Sequence, residues 1–115
     1  MNMEKKTKNV FLSGKISGIP IRVAKGKFDA AQKFFNEKGV ICCNPCRQFA
    51  FASWEDNLIR DLMLIKQCDT LCLIEGWEKS IEAKIEKQYA EAICKEIVYF
   101  EDGELTTEFN NYITK

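Results

Sequence analysis

"TLCLIEGWEKSIEAKIEKQYAEAICKEIVYF", residues 70–100, decides the fold. It opens and closes on short runs of branched and aromatic residues, "TLCLI" (70–74) and "EIVYF" (96–100), with little polar alternation. Strands covered on both faces read this way, because neither side of the ribbon meets water. Between them, Ala83, Ala90 and Ile93 share one stripe of a helix that runs from about Ser80, a good N-cap, to Cys94. Strand, helix, strand over such a length is a right-handed crossover joining two parallel strands.

The same alternation extends toward the N-terminus. "NVFLS" (9–13) and "VICCN" (40–44) are two more strands of the buried kind. Ala24, Phe28, Ala31 and Phe35 step by four, three and four, giving one apolar helix face, and Gly39 is placed to end it. Pro45 follows the second strand, where it disturbs no central ladder. In "SWEDNLIRDLMLIKQ" (53–67), Ser53 is an N-cap with Asp56 three residues on, and Leu58, Leu62 and Ile65 form the expected buried stripe. The pattern predicts an α/β fold: a three-layer, flavodoxin-like, doubly wound parallel sheet of four to five strands. One domain is expected over residues 1–115, with 1–8 a flexible N-terminus. Residues 101–115 form a tail, either a last short element or a segment reaching over a neighbouring subunit. No repeat or interdomain linker interrupts the chain.

Charge and composition exclude several functions. Seventeen basic and seventeen acidic residues cancel, so no excess charge favours a nucleic-acid duplex. No apolar run is long enough to cross a bilayer, and "MNMEKKTKN" lacks the apolar core of a secretory signal. The expected location is cytoplasmic. Cys43 and Cys46 form a C-x-x-C, but the chain has no histidine and no second such pair. Cys42 and Cys43 should point to opposite faces of a strand, and Cys68, Cys72 and Cys94 fall in apolar segments. Reduced core thiols are the expectation, with a zinc site on Cys43 and Cys46 the lesser alternative. No metal or other cofactor is expected.

In an open α/β sheet, ligands bind outside the carboxyl ends of the strands. Three segments meet there: "SGKISG" (13–18), "NPCRQFAFASW" (44–54) and "EGWEKS" (75–80). Glu86 stands out because it shares the stripe of Ala83, Ala90 and Ile93. A helical side chain leans back toward its N-terminus, here toward the strand ends. Glu86 therefore points into the crevice, or is a half-buried residue paired with a lysine, or lies on another face of the helix. Asp61, between Leu58 and Leu62, is either a second carboxylate at the loops or a solvated helix acid. Asp69, opening the third strand, suits a turn that gathers backbone amides.

"FLSGKISG", then "NP", then "RDLMLIKQCDTLCLIEGWEKSIEAKIEKQYA" resemble the nucleoside 2-deoxyribosyltransferase superfamily, in particular its small branch known as domain of unknown function 4406. The resemblance covers most of residues 9–100. It implies a flavodoxin-like fold acting on the N-glycosidic bonds of deoxynucleosides or deoxynucleotides, as an N-hydrolase or a deoxyribosyltransferase. Glu86 matches the glutamate that attacks the anomeric carbon, and Asp61 the aspartate that holds the substrate and assists proton transfer to the base. Ser13, Gly14, Ile16 and Gly18 match the loop lining the base and sugar pocket. Ser80 stands where free-nucleoside transferases tend to carry aspartate, and is similar in this to the 2'-deoxynucleoside 5'-monophosphate N-hydrolases, whose serine contacts the phosphate. Glu82 departs from the pattern, which has glycine there. As an acid in the first turn it favours the helix dipole, yet it sets negative charge beside the implied phosphate site. Trp77 and Trp54 either wall the pocket by stacking on a base or serve in packing. The resemblance also implies a homodimer or larger homo-oligomer, with the tail and Tyr112 near the interface. The alternative is a nucleotide-binding protein that keeps the pocket without turnover.

Overall fold

Period-two alternation along the first strand sorts the core. In the computed structural model, which describes residues 8–45 and 53–107, β1 spans Asn9–Ser13. Val10 and Leu12 face one side of the sheet, and Phe11 faces the other. Ser13, in register with Phe11, follows it to that second side. β2 (Ile41–Cys43) repeats the rule: Cys42 packs on the first side and Cys43 on the second, as the sequence requires. β3 (Thr70–Ile74) is buried at every position and β4 spans Glu96–Glu101.

These strands pair in parallel, and β5 (Glu104–Thr107) adds to β4 in the antiparallel sense, giving the order β2-β1-β3-β4-β5. This is the flavodoxin-like order. The expected doubly wound parallel sheet is present in its first four strands, and the edge strand makes it mixed. Asp102 and Gly103 both have positive φ (53° and 75°), and Glu101 pairs with Glu104 across them. Asp-Gly at positive φ is the tight hairpin turn whose twist matches the flanking strands, so the start of the tail folds back on β4. Tyr112 and the rest of the tail lie outside the described residues, as do residues 1–7 and the 46–52 segment with Cys46.

Three helices cover the sheet. α1 (Ile21–Asn36) buries Ala24, Phe28, Ala31 and Phe35, the predicted face, against the side of Val10, Leu12, Cys72 and Ile74. Gly39, at φ 77°, ends the helix turn while the Val40 amide donates to the Phe35 carbonyl at 3.0 Å. α2 (Trp54–Gln67) and α3 (Ile81–Ala92) cover the other side, with Ile65, Ala83 and Ala90 against Phe11, Leu71 and Leu73.

Two expectations fail locally. Of the α2 stripe only Ile65 is fully buried; Leu58 and Leu62 are half-buried, while Ile59 and Met63 face outward. β2 ends level with Phe11, so the N-terminal half of α2 has less sheet to lie on. Cys94 is exposed, not a core thiol. It has φ 63° just beyond α3, with Lys95 N–H donating to the Ala90 carbonyl and Cys94 N–H to that of Glu91. That is a left-handed helix cap, a position glycine usually fills. Among the described residues no helix is long and apolar enough to cross a membrane.

Candidate active site

Every helix of a doubly wound fold begins at the edge where the strands end, and the acidic residues gather there. The side-chain hydroxyl of Ser80 caps α3 by accepting the Ala83 amide at 3.1 Å. Ala83, Glu86 and Ala90 then form the buried stripe of that helix. Small residues at 83 and 90 let the helix lie close to the sheet, and Glu86 between them is only 4% exposed. Directly across stands Ser13, 1% exposed, whose hydroxyl donates to Glu86 Oε1 at 2.6 Å. The face alternation of β1 and the stripe of α3 together fix this contact. No lysine reaches Glu86 among the described residues; its partners are Ser13 and Asp61.

Asp61 projects from the middle of α2 to within hydrogen-bonding reach of Glu86. It is half-buried, and its Oδ1 is wholly buried without a hydrogen-bond partner. Two ionised carboxylates have no proton to exchange, so an orphaned oxygen is what a fully charged pair would leave. A proton held by one of the pair supplies the missing donor. The electrostatics agree. Burial, more than anything else, pushes Glu86 up to about 9, helped by the negative charges of Asp61 and Glu82 and opposed by the Ser13 hydrogen bond. Burial also raises Asp61, against the hydrogen bond to Glu86 and the nearby Arg60 guanidinium. Near neutral pH the pair holds one proton between two oxygens-rich groups, as like charges in contact must.

Glu82 adds a third acid at the rim. It accepts hydrogen bonds from Trp54 Nε1 and, at 3.2 Å, from the Ser80 hydroxyl. Cys43, at the end of β2, is another neighbour of Asp61; burial and that carboxylate push its thiol up, so it stays protonated. The Trp54 contact was not legible in the sequence, since Trp54 and Glu82 stand 28 residues apart and on different helices.

Gly14 and Ile16 lie on the α1 side of the strand ends. A Cβ on Gly14 would come within 3.2 Å of Ile74 Cβ and of the Phe28 ring, so the chain turns there through space only glycine leaves free. Ile16 packs on the α1-side core, and Gly18 has φ 83°, which favours glycine. Lys15, between them, donates to the Lys79 carbonyl at 3.3 Å and so ties this loop to the β3–α3 connection. Trp77 is half-buried in a 3-10 turn, its ring 5.9 Å from that of Tyr99 and 5.8 Å from Lys87 Nζ. Those are packing contacts, on the side of the sheet that α3 covers. Asp69 sits at the opposite edge of the sheet and accepts from the amides of Lys8 and Asn9, the turn-organising role its position suggests. No group of three histidine, cysteine, aspartate or glutamate residues among those described is placed to hold a metal ion.

Solved structures with this architecture are known. The CMP N-glycosidase BcmB of Clostridium botulinum superposes with a TM-score of 0.60 at 28% identity, over 81% of this chain and 68% of that one. A 2-deoxyribosyltransferase from Leishmania mexicana superposes with a TM-score of 0.66 at 18% identity, over 81% of this chain and 63% of its own, and so shows the fold alone. No curated protein sequence matches. The family described as domain of unknown function 4406 matches residues 8–99. The chain belongs to that family, and its fold is that of the nucleoside 2-deoxyribosyltransferase-like proteins.

Proposed function

We propose that the protein cleaves the N-glycosidic bond of a small nucleoside or nucleotide, with Glu86 as nucleophile and Asp61 as the proton carrier. The observation that carries this reading is the buried pair Glu86–Asp61, held by Ser13 at the carboxyl ends of the strands. A buried pair of acids is costly and has no structural need here, because small apolar residues would close the same stripe. The similarity to a CMP N-glycosidase supports the choice of bond.

The single proton of the pair fits the chemistry. The reactive form places it on Asp61 and leaves Glu86 charged. As the bond between the anomeric carbon and the base nitrogen breaks, its electron pair leaves with the base, which takes the Asp61 proton. Positive charge on the sugar is met by the Glu86 carboxylate, which closes on the anomeric carbon as an ester. Water then attacks that carbon and returns a proton to Asp61, restoring the pair. A second base attacking in place of water would make the reaction a transfer. The Ser13 hydrogen bond holds Oε1 and so orients the Glu86 carboxylate. In this reading Ser80 and the loop of Gly14, Ile16 and Gly18 line the substrate's cleft, and no cofactor enters any step. A homo-oligomer would complete the cleft's open rim.

The test is incubation with a panel of deoxynucleosides, ribonucleosides and their 5'-monophosphates, following free base by chromatography. Release by the wild type and not by Glu86→Ala supports the reading; a wild type that releases no base from any of them sinks it. Binding without turnover is the second reading. The observation in its favour is Glu82, whose charge helps keep Glu86 protonated. Saturable nucleotide binding with no base release would establish it.

A further inference from the structure

Glu82 has no part in the chemistry above, yet two elements clasp it. Trp54 Nε1, in the first turn of α2, donates to Oε2, and the Ser80 hydroxyl donates to Oε1 at 3.2 Å. The clasp engages the one proton of Ser80, which accepts the Ala83 amide with one lone pair and donates to Glu82. The carboxylate also faces Asp61 and Glu86 closely enough for its charge to act on both. A helix N-terminus ordinarily draws an anion from outside. At α3 the chain has supplied its own.

Resting on the N-glycosidic reading, we propose that Glu82, clasped by Trp54, is a specificity-determining residue: it makes the site take a nucleoside with a free 5'-hydroxyl and reject the 5'-phosphomonoester. A phosphomonoester carries about −1.5 to −2 charges at neutral pH and has almost no proton to give. Beside Glu82 it meets repulsion, and the serine that would otherwise bond it is engaged. A hydroxyl brings no charge and donates to the same carboxylate. Two cations stand elsewhere on the rim. Lys15 is bonded to the Lys79 carbonyl, and Lys27 Nζ lies 3.8 Å from where a Cβ on Gly76 would be. Phosphate held by those lysines is the rival arrangement.

Titration calorimetry of the wild type, Glu82→Gln and Trp54→Phe separates the two. The ligands are the common deoxynucleosides, their 5'-monophosphates and inorganic phosphate, with base release followed in parallel. The wild type should bind the preferred nucleoside at least about tenfold more tightly than its monophosphate. Glu82→Gln should bring the two within about threefold, and Trp54→Phe, which frees the carboxylate to swing away, should give an intermediate ratio. Equal or tighter binding of the monophosphate by the wild type overturns the proposal. So does a ratio that Glu82→Gln leaves unchanged, or the absence of binding by either ligand class. Preference without base release retires the proposed reaction and leaves this inference standing; release without preference does the reverse.

Discussion

Ser13 donates a 2.6 Å hydrogen bond to Glu86 across 73 residues of sequence, joining the end of the first strand to the middle of the last helix. That bond is the strongest influence holding the Glu86 carboxyl toward its charged form, against burial and two nearby acids that favour the neutral one. Ser13→Ala removes it. Glu86 should then rise further, moving the acidic limb of the rate–pH profile upward, and base release should fall roughly tenfold to a hundredfold at neutral pH. Steady-state rates measured from pH 5 to pH 10 check both effects. A fall in rate with an unmoved limb would assign Ser13 to packing.

Glu86 itself gives a stability signature with a definite sign. Its folded value, about 9, lies above the ordinary 4.5. Between those values the native state binds more protons than the unfolded chain, so stability falls as pH rises through that window. Glu86→Gln keeps the shape and removes the titration. Denaturant unfolding should show the wild type losing stability from pH 5 to pH 9 while Glu86→Gln stays nearly flat. At pH 9 the variant should be the more stable by roughly 1–3 kcal/mol. A wild type whose stability rises over that range would contradict the protonated state assigned to the pair.

Asp61→Asn tests the partner. It removes the negative charge beside Glu86, so Glu86 should titrate lower and the acidic limb should move down. It also removes the proton carrier, and base release should drop by about 10² to 10⁴. Substrates whose base leaves without a proton should lose less. A uniform loss across poor and good leaving groups would take Asp61 out of proton transfer.

Glycines divide cleanly. Gly14→Ala would press a methyl against Ile74 and Phe28 at 3.2 Å and should cost about 1–3 kcal/mol of stability. Gly26, within α1, has nothing within 4 Å of a Cβ. Gly26→Ala should stabilise the protein by about 0.5–1 kcal/mol through helix propensity. Thermal melts of the two variants, expected to shift in opposite directions, check the account of the β1–α1 turn.

Much of the fold was legible because it rests on periodicity. The unalternating runs at β1, β3 and β4 mark strands covered on both faces, and the four-three-four spacing of α1 is its buried face. The Asp102–Gly103 hairpin is also written in the sequence, as the Asp-Gly pair, and it makes the start of the tail the last short element. Glu86 was legible for a physical reason: a carboxylate on a stripe of small residues breaks the pattern. The Ser13 contact follows from Ser13 sharing the face of Phe11, but only once the sheet order is known. The Trp54–Glu82 clasp depends on how α2 and α3 pack together, which no local spacing encodes. The same holds for Cys94, whose apolar surroundings in sequence say nothing of the left-handed cap it occupies.

The central claim is that Glu86 attacks the sugar, and the most direct measurement is to catch that sugar on the protein. The wild type is mixed with the fastest substrate of the panel, quenched in acid within its first turnover, digested and weighed. The account predicts a peptide containing Glu86 heavier by the dehydrated sugar, absent from Glu86→Gln, which should also release no base. Base release by Glu86→Gln at the wild-type rate, or the sugar found on a different carboxylate, would contradict it.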